Sequence, residues 1–133
     1  MDHHLQQELE TKLRQICDRV DDLLENRYGD AYPLHPNRPR RGETANKAYD
    51  GLFNITSTFS AGYGTRTGRG YLVNINMVTL DHIPPSFRER IFRDATDHIR
   101  RELKRTFPDR HLEVTREGNL LKIVGDFRLG TLY

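Results

Sequence analysis

"LFNITSTFSAGYGTRTGRGYLVNINMVTL", residues 52–80, decides the fold. In its first part Phe53, Ile55, Ser57 and Phe59 fall on one face, and Asn54, Thr56, Thr58 and Ser60 on the other. In its last part Tyr71, Val73, Ile75 and Met77 lie opposite Leu72, Asn74, Asn76 and Val78. Period-two alternation with polar residues outward predicts antiparallel strands over 52–60 and 71–80, covered on one face only. The glycine-rich stretch between them is then a hairpin connection of about ten residues, longer than the usual two to five.

Amphipathic helices are predicted on both sides of that hairpin. From His3 to about Tyr28, apolar residues recur at Leu5, Leu9, Leu13, Ile16, Val20 and Leu23, flanked by Cys17 and Leu24. Spacings of three and four residues make one helical face, and Gly29 suits a left-handed closing residue. The other faces carry Glu8, Glu10, Asp18, Asp21, Asp22 and Glu25. The second helix is expected over 86–107, with Ser86 and Glu89 as a capping box, a stripe of Phe87, Ile91, Ala95, Ile99 and Leu103, and Pro108 as its stop. Strands over 111–117 and 120–129 follow, alternating through Leu112, Val114, Leu121, Ile123 and Phe127, with Gly118 and Asn119 in the turn. The order α–β–β–α–β–β predicts an α+β two-layer sandwich: an antiparallel sheet of about four strands with two main helices on one face.

Residues 29–43 hold three prolines and form an arm between helix 1 and the core of a single domain spanning 1–133. Thr44–Asp50 reads as a short helix with Thr44 as its cap. The length suffices for one core without staples. No long apolar run predicts a membrane contact. The acid-bearing start without a secretory stretch, together with the single Cys17, predicts a cytoplasmic chain.

Net charge is +2, unevenly spread: four basic and eight acidic residues in 1–30, six and two in 31–76, eleven and nine in 77–133. Arginine supplies 17 of the 21 basic residues, and its planar fork binds phosphate or carboxylate bidentately. Two clusters stand out. The arm carries Arg38, Arg40 and Arg41, with Lys47 just beyond. The glycine-rich loop carries Arg66 and Arg69, and its backbone N–H groups are free to cradle an anion. Tyr63 and Tyr71 flank that loop as candidate platforms for base stacking. The loop fits neither the Walker nor the dinucleotide-binding spacing, and it connects two strands rather than a strand and a helix. A third basic surface, Arg93, Arg100, Arg101 and Lys104 with Arg90 and Arg105 near, lies on helix 2, interleaved with acids at pairing distance.

These features predict a small binding protein contacting a polyanion, RNA or DNA phosphates above all, through the arm and the loop. Two other readings stand beside it. One is an enzyme on a phosphorylated or carboxylated small molecule, with Asn74, Asn76, Asp81 or His82 near the loop. The other is a homo-oligomeric adaptor using helix 1 as its seam. Opposing the first, the arm's arginines could simply pair with the acids of helix 1. No cofactor is implied. No zinc spacing exists among the histidines and Cys17, though Asp81, His82, His98 and His111 could gather around a catalytic metal from separate elements.

Overall fold

The apolar stripe of the N-terminal segment folds as α1 (His3–Tyr28) in the computed structural model of the chain, which describes residues 3–62 and 68–125. A single 3-10 turn at Lys47–Tyr49 precedes β1 (Phe53–Ser60) and β2 (Gly70–Met77). Then come α2 (Pro85–Thr106), β3 (Leu112–Glu117) and β4 (Leu120–Gly125). All pairings are antiparallel, and the sheet order is β1-β2-β4-β3. The chain therefore has the α+β architecture that its alternation and periodicity predict. Phe127 and the far end of the last expected strand lie outside the described residues.

The join between the hairpins aligns their apolar faces. Tyr71 pairs with Ile123 and Val73 with Leu121, while Ile55 pairs with Ile75 and Val114 with Ile123. All of these side chains are buried in one core with Leu9, Leu13, Ile16, Val20 and Leu24 of α1 and Ile91, Ala95, Ile99 and Leu103 of α2. Helix α1 packs on β1 and α2, and α2 packs also on β3. Leu9, Leu13, Ile16 and Val20 of the α1 stripe are thus buried inside its own domain, and Val20 and Leu24 have no exposed surface. No helix among the described residues is long and apolar enough to cross a membrane.

Three local expectations are corrected. Ser86 does not cap α2: the helix begins at Pro85, Pro84 stands at the cap without a side-chain bond, and the amides of Phe87 and Arg88 both reach the Pro84 carbonyl. Proline at the first helical position has its φ preset and no N–H to satisfy, so it sets the start ahead of the serine. Thr44 does not open a helix either; its hydroxyl lies 2.9 Å from the Asn46 carbonyl and 3.1 Å from Asp50 Oδ2. That buried carboxylate, six residues on, also accepts the amides of Gly42 and Thr44 and holds the segment in an irregular form. Gly29 is not left-handed. A Cβ there would come 2.5 Å from the Glu25 carbonyl, so glycine is required by close approach instead.

Glu25 ties α1 to the start of β1, its carboxylate accepting the amides of Leu52 (2.8 Å) and Phe53 (3.3 Å). Gly51 sits against that carboxylate with φ +73, and a Cβ on it would lie 2.4 Å from Glu25 Oε1. Gly51→Ala is therefore expected to cost the ~1–2 kcal/mol of a left-handed alanine plus the displaced Glu25 bonds. Gly42→Ala, at φ +93 with open space around it, should cost only the first. Urea midpoints of the two variants measure the difference; equal losses would mean that Glu25 does not matter.

Candidate functional site

Two of the arm's three cations face inward. Arg38 donates to three backbone carbonyls, those of Gly51 (2.9 Å), Asp50 (3.0 Å) and Phe53 (3.0 Å). Arg41 lies 2.8 Å from Asp21, 2.6 Å from Asp22 and 3.2 Å from Asp50. Lys47 also pairs with Asp22. Arg38 thus staples the arm to the start of β1, while Arg41 and Lys47 make the pairing with helix 1 acids that stood against their use on a ligand.

The network has one poorly satisfied member. Asp50 is buried, which pushes its carboxyl up. The amides of Thr44 and Gly42, the Thr44 hydroxyl and Arg41 outweigh that and hold it below the usual carboxylate range. Asp21 is equally buried, yet among the described residues its closest cation contact is Arg41 Nη1 at 2.8 Å from Oδ1, with no well-formed hydrogen bond to either oxygen. Burial pushes the Asp21 carboxyl up to about 7, against the pull of Arg41.

The loop's cations stand elsewhere. Arg69 is exposed beside the neck of the glycine-rich connection, where a Cβ on Gly62 would come 2.1 Å from Gly68. Arg66 and Tyr63 lie outside the described residues. The arm reaches β1 at Phe53 and the loop leaves it at Ser60; at about 3.3 Å per residue these points are roughly 23 Å apart. The arm and the loop thus meet β1 at opposite ends. Asp81 and His82 follow the far end of β2, so they too lie away from the loop. Tyr71 cannot serve as a stacking platform. It is 4% exposed, faces the helices, and meets Phe59 edge-on with ring centres 5.6 Å apart. Arg40 is exposed and lines a cavity of about 610 Å³ with Asp30, Tyr32 and Leu34. Among the described residues no three of His, Cys, Asp and Glu gather as metal ligands.

The concentration of cations in one concave place is on α2 instead. Arg100, Arg101 and Lys104 form one wall of a groove of about 650 Å³. The edge strand β3, from Leu112 to Thr115, forms the other, and Arg110 and His111 close the end. Among the described residues four permanent cations line the groove against one carboxylate, Glu113. A second cavity of about 590 Å³ continues around the turn and shares Lys104, Arg110 and His111. Pairing on the helix is partial. Arg100 reaches Asp97 at 3.9 Å and the Val114 carbonyl at 3.5 Å, and Arg101 lies 3.4 Å from His98. Among the described residues Lys104 has no ion-pair partner.

The spacing of Arg100, Arg101 and Lys104 is visible in the sequence, but nothing local joins them to Arg110 and the β3 edge. Lys122 is a second residue that periodicity hides. It points away from the helices and is fully buried, its ammonium on the Gly68 carbonyl and 3.7 Å from Glu117. That contact ties the neck of the glycine-rich connection to the sheet.

The fold and groove define a small α+β domain with a basic cleft at one sheet edge. A family model described as "Uncharacterised protein" matches residues 4–125, and the chain belongs to that family. A relative from Borreliella burgdorferi, titled "Uncharacterized protein", is 45% identical over 120 residues, covering 90% of this chain and 94% of that protein. No solved structure matches.

Asp21 yields a pH prediction. Its native carboxyl titrates near 7 and its unfolded one near 3.8, so the native state holds a proton that the unfolded state has lost between those values. Stability from this group is present below about 4 and is lost as pH rises to 7. Asp21→Asn should flatten that slope and gain most against wild type at pH 8, read as urea midpoints from pH 5 to 8. An unchanged slope would show that Asp21 is ionised throughout.

Proposed function

We propose that this protein binds a polyanion, nucleic-acid phosphates above all, in the groove between α2 and β3. The observation that supports this reading is the set of four cations against one carboxylate in a single concave site. A last-turn cluster of basic residues also complements a helix dipole. That role asks for charge near the final carbonyls, however, not for Arg110 and the strand edge on the facing wall. Arginine predominates, which suits bidentate contact with phosphate oxygens. A domain of net charge +2 binds through a local patch, so modest affinity with steep salt dependence is expected.

The test is fluorescence anisotropy with labelled oligonucleotides across a salt series. Affinity should fall linearly on a log–log plot, and Arg101→Glu with Lys104→Glu should weaken binding by roughly tenfold or more and lower the salt slope. Arg40→Ala and Arg69→Ala, at opposite ends of β1, should change affinity less than about twofold. Equal losses from all four positions would replace a defined groove with diffuse charge. No binding at about 50 mM salt would end the reading.

A further inference from the structure

Resting on the phosphate-binding reading above, we infer that the groove takes a single strand of nucleic acid lengthwise, with phosphates on the α2 wall and base edges along β3. The cations line the inside of a cleft between a helix and the sheet edge on which it packs. Proteins that read a duplex do the reverse: they push a convex helix or ribbon into a DNA groove about 12 Å wide. A single strand can enter.

The second wall supports the same occupant. Among the described residues β3 is an edge strand, bonded to β4 on one side only. Residues Leu112–Thr115 line the cavity along this edge, and the Val114 carbonyl has a long 3.5 Å approach from Arg100 Nη2. An edge strand offers alternating N–H donors and C=O acceptors. Unpaired bases present complementary groups on edges that a duplex has already used. Among the described residues no Phe, Tyr or Trp lines the groove itself, so stacking falls to the guanidinium planes of Arg100, Arg101 and Arg110 and to the His111 ring. The adjoining cavity past Lys104 and Arg110 extends the track around the turn.

Two labelled probes of one mixed sequence, about a dozen nucleotides long, are compared at about 50 mM salt: a single strand and its duplex. The single strand should bind roughly tenfold tighter. Arg100→Lys, which keeps the charge and removes the plane, should weaken the single strand about threefold or more while leaving the salt slope unchanged. Duplex binding equal to or tighter than the single strand overturns the inference and leaves the phosphate reading intact. Unaltered single-strand affinity in Arg100→Lys overturns the stacking role. Competition by poly-glutamate as effective as by unlabelled strand shows that charge alone is recognised, and also overturns the inference. Failure of both probes to bind removes the phosphate reading itself.

Discussion

The pairing of β2 with β4 is the constraint on which the rest of the molecule depends. Each hairpin alone has one apolar face and two raw edges, and a two-stranded unit is marginal in water. Setting Tyr71 beside Ile123 and Val73 beside Leu121 merges the two apolar faces into one, broad enough for two helices. Both helices must then lie on that side. β1 and β3 become the edges, and α2 comes to rest above β3 with its charged flank turned outward. The groove follows from that placement. It is the gap left where a helix with a basic flank meets an edge strand.

Two polar assemblies adjust the frame without forming its core. Between the helices, buried Glu102 of α2 accepts Arg19 from α1 and Arg105 from its own helix. Burial raises its carboxyl, but those two hydrogen bonds outweigh the effect and hold it low. On the β1 side, the arm is held by Arg38 on carbonyls and Arg41 on carboxylates. A guanidinium has five donors in a fixed fork, so one side chain can satisfy several acceptors from separate segments. Here that capacity serves internal construction. An arginine-rich segment is therefore not by itself a ligand site, because the same geometry that grips a phosphate grips a carboxylate or a ring of carbonyls.

The helices and strands were readable from the chain because the burial of each depends on residues a few positions apart. Where the reading slipped, a nearby competitor won. Pro85 displaced Ser86 as the start of α2, Asp50 drew Thr44 away from a helix cap, and Leu24 rather than Leu23 turned fully into the core. The candidate site was only half readable. Arg100, Arg101 and Lys104 could be picked out as a helix face, but the wall opposite them comes from residues about ten positions later across a turn. Buried Asp21, Glu102 and Lys122 had no signature, since each is a charged residue at a position the local pattern leaves to solvent.

What the sequence by itself determined is the alternation of faces: which residues seek the core, where helices and strands lie, and that the whole is an α+β sheet with helices on one side. Only the tertiary structure decided the direction of the charges. Arg38 and Arg41 turned inward because Asp21, Asp22 and the carbonyls of 50–53 stand around them. The arm and the glycine-rich loop parted because one eight-residue strand lies between them. Hydrophobic periodicity is a local property and survives in the linear chain. The fate of a long cationic side chain depends on partners brought from elsewhere, and those exist only once the chain has folded.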